Sequence, residues 1–339
     1  MLEERNFSQA GELVCPAGTP ASLHVAVDAG ADSVYCGFRN ATNARNFPGL
    51  NFSVEELHAS VAYAHARKAK VLLALNTYPP AGKTNLWREA ADNGVAADVD
   101  AFIVADMGVA NYIATKHPGA RLHLSVQAAA SSPEAIRYYC QHFGVKRVVL
   151  PRILTIPEIR SLRGEIPCEI ETFVFGNHGL MVEGRCSLTN WFTGLSTNMD
   201  GVCSPAAEVS YRRDKDGSMQ SSLAGFTIDS FAPDETAGYP TICKGRYIAP
   251  HRPDGYYAFE EPVSLNLARL LPDLMAAGVH AFKIEGRQRS KSYVRQVVSA
   301  FRSAVDAVRK GADPNLADLV ALTEGQKESQ GAFQTKKWR

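Results

Sequence analysis

Eight short runs of apolar and β-branched residues recur along the chain, and each is nearly continuous in its apolar character. A continuous run of this kind is typical of a parallel strand that is covered on both faces. The runs begin at Glu12, Ser33, Lys70, Ala101, Leu122, Arg147, Glu169 and His280. The sequence therefore predicts eight buried parallel strands.

The segments between these runs carry helix patterns. Three helix starts place Ser or Thr ahead of an apolar stretch, where a side-chain oxygen can accept from the first backbone N–H groups. They are Ser53 with Glu56, Ser132 with Pro133, and Thr155 with Glu158. After the last strand, the apolar spacing predicts a final helix from about Ser292 to Lys310.

Strand and helix alternate through most of the chain, which is typical of a closed barrel or of an open doubly wound sheet. Eight strand candidates favour an eight-stranded parallel (β/α)8 TIM-like barrel, and the open sheet is the alternative. A stretch rich in Gly, Ser, Asp and Pro, with only weak strands, breaks the alternation after strand seven. We therefore assign the barrel to residues 1–176 and 262–312, a cysteine-bearing insertion to 177–261, and a tail, either edge-bound or disordered, to 313–339.

The composition narrows the class of protein. With 339 residues and 45% hydrophobic content, the chain can bury the core of one barrel. A net charge of +1 gives no general attraction to nucleic acid or to an anionic membrane. No apolar run approaches the roughly 20 residues of a membrane span, and the N-terminus does not resemble a signal peptide. We expect a cytoplasmic protein.

Polar residues follow the predicted strands, where the chemistry of such a barrel takes place. They are Cys15, Gly18, Asn43, Arg45, Asn76, Thr77, Asp106, Gln127, Arg152, Asn177, His178, Glu285 and Arg287. Three arginines at one mouth suit a substrate with carboxylate or phosphate groups, because the planar guanidinium binds such groups through paired hydrogen bonds. The alternative is that these arginines form salt bridges with Asp106 and Glu285.

Seven cysteines, an odd number spread over the chain, fit a reducing compartment better than a disulfide framework. Cys15 could be a nucleophile only beside a base, so a buried structural thiol is the preferred interpretation. Cys36, Cys140 and Cys168 lie within strand or helix patterns and are expected to pack as small apolar side chains.

The cysteines of the insertion, Cys186, Cys203 and Cys243, lie in loops marked by Gly or Pro. Loop cysteines can converge, and thiolates gathered in a reducing cell commonly bind zinc or an iron–sulfur cluster. The spacing contains no close CxxC pair, so by itself it leaves metal binding open.

Several segments together resemble the collagenase-like peptidase family. FVFGNHGLMVEGRCSLTNW, NMDGVCSPA and YPTICKGRY carry the family signature. ELVCPAG, TNARNFPGLNF, LHLSVQA, RVVLPR and HAFKIEGRQRS also match in order, so the resemblance runs from about Glu12 to Arg339. TNARNFPGLNF, CSPA and ICKGR are most similar to the UbiU branch, which belongs to ubiquinone biosynthesis.

The resemblance implies a 4Fe-4S cluster held by four cysteines and a hydroxylation that needs no molecular oxygen, with proteolysis poorly supported. For the UbiU branch it implies an aromatic ubiquinone precursor as substrate, prephenate as oxygen donor, and a UbiV-like related subunit in a heterodimer. Prephenate is a dicarboxylate and would suit the three arginines. The residues expected to carry the catalysis are Arg45, Asn76, Gln127, Arg152, Glu285 and Arg287.

The sequence departs from the family at one cluster ligand. Cys186, Cys203 and Cys243 fall on three of the four ligand positions, whereas Gly179 stands at the other. His178 could supply an imidazole ligand, the fourth iron could stay open as a Lewis acid, or the cluster could be lost. His178 could also simply cap its loop.

Two other functions stay open. Other branches of the family hydroxylate RNA bases, but the near-neutral charge and the absence of a basic stripe in the sequence disfavour a nucleic-acid partner. The chain could instead be a non-catalytic subunit that supports a cluster-bearing partner, although its strand-end residues are intact. A protease would need a base beside a nucleophile such as Cys15 or Ser125.

Overall fold

The computed structural model describes residues 11–46, 49–177, 187–194, 203–314, 316, 319, 321–323 and 327–334. The strands, numbered in chain order, are β1 Glu12–Pro16, β2 Ser33–Cys36, β3 Lys70–Leu75, β4 Ala101–Val104, β5 Leu122–Leu124, β6 Arg147–Val149, β7 Glu169–Asn177, β8 Val209–Arg213, β9 Met219–Leu223, β10 Phe226–Phe231, β11 Arg246–Ala249, β12 Arg252–Tyr257, β13 Ser264–Asn266, β14 Ala281–Ile284 and β15 Glu328–Ser329. The helices are α1 Pro20–Asp28, α2 Val54–His65, α3 Asn85–Ala96, α4 Met107–Lys116, α5 Pro133–Phe143, α6 Ile156–Glu165, α7 Ser187–Thr193, α8 Leu271–Ala276 and α9 Lys291–Arg309.

The sheet closes on itself. Strands β1 to β7 pair in sequence order, all parallel, and β14 pairs in parallel with both β7 and β1. Each of these eight strands coincides with one of the apolar runs of the sequence. The predicted (β/α)8 barrel is therefore confirmed, and the open doubly wound sheet is wrong.

The helices that cover the barrel begin where the sequence predicts. Both capping boxes form, on α2 and on α6, and Ser132 accepts a hydrogen bond from the first turn of α5. The last helix, α9, begins at Lys291, one residue before the predicted start, and Ser290 caps it. Among the helices in the described ranges, none has the length and apolar character required to cross a bilayer.

The barrel interior contains a buried ionic network. Arg147, which is fully buried, donates to Glu12 at 2.7 Å, to Glu169 at 2.8 Å and to Glu171 at 3.2 Å. Glu171 also accepts from Lys283 Nζ at 2.6 Å. Burial alone would lower the pKa of Arg147, but the surrounding carboxylates raise it above its ordinary value. The network joins β1, β6, β7 and β14, and because buried charges are tolerated only in good pairing geometry, it favours this strand arrangement.

The chain between β7 and β14 forms two small antiparallel sheets, one of order β10-β9-β8 and one of β11 and β12. The sequence predicts only weak strands here because the segments are short and polar, and β12 contains Pro253 and Gly255, which are uncommon in strands. Strand β13 runs antiparallel to the end of β7, and β15 pairs with β13, so this part of the tail lies at a sheet edge. The domain boundaries at residues 176, 261 and 312 stay predictions.

Replacement of Arg147 by Met is expected to lower the free energy of unfolding by about 3–5 kcal/mol, because it leaves buried carboxylates without their counter-charge. Urea denaturation followed by circular dichroism measures this. The matched control is Arg39→Met, which removes an exposed ion pair with Glu56 and should cost less than about 1 kcal/mol. Equal losses in the two variants would show that the buried network contributes no more than a surface pair.

Candidate functional site

A cavity of about 420 Å³ lies at the C-terminal ends of the barrel strands. Its size is in the range of sites for small molecules. The insertion contributes to its lining through Cys203, Ser204, Tyr239, Thr241 and Cys243. The structure also brings together at this cavity all six residues predicted to carry catalysis, namely Arg45, Asn76, Gln127, Arg152, Glu285 and Arg287.

Glu285 is held between two arginines. Its carboxylate accepts from Arg45 at 3.3 Å and from Arg152 at 2.7 Å. Burial raises the pKa of Glu285, but Arg152 and Arg45 outweigh it and hold the pKa below its ordinary value, so this side chain is an anion at neutral pH. Gly176 permits the arrangement, because its φ is +129° and a β-carbon there would lie 2.6 Å from the Glu285 side chain.

Asp106 does not take part. Its side chain accepts from the backbone N–H of Val109 at 2.9 Å and caps α4, and it is not part of the cavity lining. The salt-bridge alternative is thus right for Arg45 and Arg152 with Glu285, and wrong for Asp106. The Asp106 position follows a strand, but α4 begins at the next residue and uses the carboxylate as its N-cap.

Arg287 differs from the other two arginines because no described carboxylate lies within salt-bridge distance of it. Its side chain is buried and donates to Asn43 Oδ1 at 3.1 Å, and its guanidinium lies 5.7 Å from the centre of the Tyr35 ring. Burial lowers the pKa of Arg287 to about 10, so the group is still a cation at neutral pH. Arg289 also lines the cavity, and among the described lining residues Glu285 is the only carboxylate. This part of the cavity therefore carries an excess of positive charge.

Lys283, Tyr35 and Phe173 form part of the cavity that the sequence reasoning missed. Lys283 Nζ lies 4.1 Å from the centre of the Tyr35 ring, and the Arg152 guanidinium lies 3.8 Å from the centre of the Phe173 ring. Burial lowers the pKa of Lys283 despite its ion pair with Glu171. A lysine inside the otherwise apolar run HAFKI was the signal that could have identified it.

Asn76 and Gln127 play different structural parts. Asn76 Oδ1 accepts from the backbone of Ala44 at 3.0 Å and so orders the loop that follows β2. Gln127 is 4% exposed, and its side-chain Oε1 is buried with no donor among the described residues. A buried acceptor of this kind is uncommon in native proteins.

Cys203 and Cys243, which come from different loops of the insertion, are both half-buried and both line the cavity. Cys186, His178 and Gly179 lie outside the described residues. Within the described ranges, no three His, Cys, Asp or Glu side chains gather as a metal site. Two thiols at one cavity nevertheless match the ligand chemistry of zinc or an iron–sulfur cluster, which favours thiolates.

Cys15 and Cys36 pack in the hydrophobic core and do not line the cavity. Burial raises the pKa of the Cys15 thiol well above its ordinary value and that of Cys36 to about 12. Ser125 does line the cavity, but the described lining contains no histidine that could act as its base. Neither candidate nucleophile therefore has the surroundings that a protease needs.

The metal-free protein is expected to react with iodoacetamide at Cys203 and Cys243 and to spare Cys15 and Cys36. Alkylation requires an accessible thiolate, and burial suppresses both accessibility and ionisation at the two core thiols. Peptide mass spectrometry after timed labelling measures each site. Labelling of all four cysteines in denaturant is the control, and equal rates in the folded protein would contradict the placement of the core pair.

The amino-acid sequence is similar to proteins of one family. A profile of Peptidase family U32 matches residues 18–337. An uncharacterized protease of Methanocaldococcus jannaschii is 30% identical over 305 residues, 88% of this chain and 66% of that protein. The tRNA hydroxylation protein P of Escherichia coli is 30% identical over 330 residues, 93% of this chain and 72% of that protein.

A third relative, the 23S rRNA 5-hydroxycytidine C2501 synthase of Escherichia coli, is 28% identical over 320 residues, 94% of this chain and 42% of that protein. Across these three relatives, the chain matches between 42% and 72% of their own length. Two of the three are named for hydroxylation of RNA, and the first is named a protease.

Proposed function

The chain belongs to peptidase family U32, and on that basis we propose that it takes part in the oxygen-independent hydroxylation of an aromatic ubiquinone precursor. Prephenate is the proposed oxygen donor, and a UbiV-like subunit is the proposed partner. The observation that carries the proposal is the buried Arg287 cation, which has no carboxylate partner among the described residues of a cavity sized for small molecules.

A buried cation without a counter-ion is costly, and an anionic ligand would offset that cost. The buried Arg287 therefore supports a ligand that carries a carboxylate or phosphate group. Arg45 and Arg152 already hold Glu285, and one carboxylate leaves the three guanidinium groups under-neutralised. A dicarboxylate such as prephenate supplies the charge that is needed.

The walls of the cavity suit an aromatic ring. The apolar surface of the lining comes from the barrel strands, through Tyr35, Ile103, Val149 and Phe173. Aromatic rings gain free energy when such surface is removed from water and when they pack against other rings. This combination of apolar walls and excess positive charge supports an aromatic acid as ligand.

Cys203 and Cys243, together with Cys186, are the residues proposed to hold a 4Fe-4S cluster. When bound, such a cluster supplies electron transfer or a Lewis-acidic iron. Gly179 stands where the family has its other ligand, so either His178 or an open position completes the site in this proposal. The thiols would place the group at the cavity that also contains the arginines.

The proposed partner requires a docking surface, and the insertion offers exposed apolar side chains. Trp191 is 85% exposed and Ile248 is 78% exposed. Aromatic residues such as Trp191 are enriched at protein interfaces relative to the rest of the surface. They support a heterodimer in which the insertion contacts the partner.

Hydroxylation of RNA is the second candidate function. It is favoured by the relatives that are named for tRNA and rRNA hydroxylation. In that case, a single base would have to leave its stack and enter the cavity, as in other enzymes that modify bases.

The test uses anaerobic cells in which the chromosomal copy is replaced by wild type, Arg287→Ala, Cys203→Ala or the surface control Arg39→Ala. Mass spectrometry quantifies ubiquinone with its unhydroxylated precursors, and hydroxylated nucleosides from total RNA. Loss of the charged contact at Arg287 is expected to lower ubiquinone about 10- to 100-fold. Cys203→Ala should also lower it and Arg39→Ala should not.

Normal ubiquinone together with a loss of hydroxylated nucleosides in Arg287→Ala would instead select the RNA reaction. Unchanged levels of both products in Arg287→Ala, beside a loss in cells that lack the chain altogether, would favour a non-catalytic supporting subunit.

A further inference from the structure

Gln127 lies on a turn whose backbone is fixed from several sides. Its backbone N–H donates to Ser125 Oγ at 3.2 Å, and its carbonyl accepts from the Tyr78 hydroxyl at 2.5 Å. Two residues later, Ala129 has a φ of +52°, a left-handed conformation that a β-carbon disfavours. The chain therefore holds this turn in one conformation, which directs the Gln127 side chain into the cavity.

The Oε1 atom of Gln127 is buried and accepts no hydrogen bond from the described part of the chain, and the residue is only 4% exposed. Three other amide or carboxylate groups of the described cavity lining are already engaged: Glu285 accepts from two arginines, Asn76 accepts from Ala44, and Asn177 accepts from Lys244 at 2.7 Å. A buried, unsatisfied acceptor destabilises the folded protein unless a ligand completes it.

The chemistry of the cavity restricts what can complete it. The three guanidinium groups only donate, so they bind the carboxylates of a ligand. A carboxylate cannot donate to Gln127 Oε1, and the ligand therefore needs a separate donor. A hydroxyl both donates and accepts, and so it matches both ends of a carboxamide, whichever way the amide is oriented.

We propose that the Gln127 carboxamide binds the phenolic hydroxyl of the aromatic substrate and so selects hydroxylated aromatic acids over those without a hydroxyl. This inference rests on the proposed function, because it takes the aromatic acid of that reaction as the occupant of the cavity. It assigns the hydroxyl of the substrate to Gln127 and its carboxylate to the arginines, which outnumber the single carboxylate of Glu285 and can therefore also bind prephenate.

The test is calorimetric titration of the purified chain with 4-hydroxybenzoate and with benzoate, which differ only in the hydroxyl. The wild-type protein is expected to bind 4-hydroxybenzoate about tenfold more tightly, as one satisfied hydrogen bond implies. Gln127→Leu keeps the size of the side chain without its polar atoms, and it should bind both acids at the wild-type affinity for benzoate.

Two further variants complete the design. Gln127→Glu retains an acceptor and should still prefer the hydroxylated acid, although its negative charge should weaken binding of both acids. Gln296→Leu, at an exposed position on α9, is the matched control and should behave like wild type. Because the comparison of two ligands on wild type needs no variant, the proposal can be tested even if a substitution at Gln127 prevents folding.

The outcomes separate this inference from the function on which it rests. Equal affinity of wild type for both acids would overturn the role of Gln127 and leave the aromatic-acid site standing. Binding of neither acid would overturn the inference, and if prephenate also failed to bind, the proposed function itself would be contradicted. Binding of cytidine that depends on Gln127, with no preference between the two acids, would contradict the binding of a phenolic hydroxyl by Gln127. It would indicate instead that the carboxamide binds the edge of a nucleobase.

Discussion

The excess of guanidinium over carboxylate groups at one end of the barrel is the constraint on which the account of this protein depends. Arg45 and Arg152 share the carboxylate of Glu285, and Arg287 is buried beside them with no described counter-ion. Each charge withdrawn from water requires compensation, so the anion that we propose as ligand would stabilise the arrangement. The class of ligand follows from that requirement rather than from the fold, which supports many unrelated reactions.

The same barrel interior contains a fully paired ionic network a short distance away. Arg147 neutralises three carboxylates from two strands, β1 and β7, and Glu171 links it to Lys283, which also lines the cavity. The Arg147 network and the cavity lining differ in their balance of charge. In the network around Arg147, each charged side chain has a partner of opposite charge. In the cavity lining, the positive side chains outnumber the negative ones.

The sequence predicts the barrel and the composition of its mouth because both follow from local patterns. Apolar runs define the strands, and closure of a parallel sheet brings the strand ends together, so the residues after each strand meet. Long-range partners are not visible in such patterns. Nothing in the apolar run at Arg147 indicates the carboxylates that neutralise it. Asp106 is a different case, because its role as the N-cap of α4 is local, and its position after a strand was given more weight than its position before a helix.

The insertion shows a different limit on what the sequence can predict. Its strands are short and polar, and their apolar spacing is too weak to predict them. Cys203 and Cys243 could be identified as converging loop thiols from the residues around them, and the structure places both at the cavity. The third thiol, Cys186, and the remaining ligand position, where Gly179 stands next to His178, stay predictions that rest on the sequence.

The central claim is that the cavity binds an organic anion through Arg287. Calorimetric titration of the metal-free chain with prephenate, compared with Arg287→Ala and with the surface variant Arg39→Ala, tests it most directly. The account predicts measurable binding to wild type and to Arg39→Ala, and an affinity about 10- to 100-fold weaker in Arg287→Ala, because a charged hydrogen-bonding partner is lost. Equal affinity in all three proteins, or no binding to wild type, would contradict it.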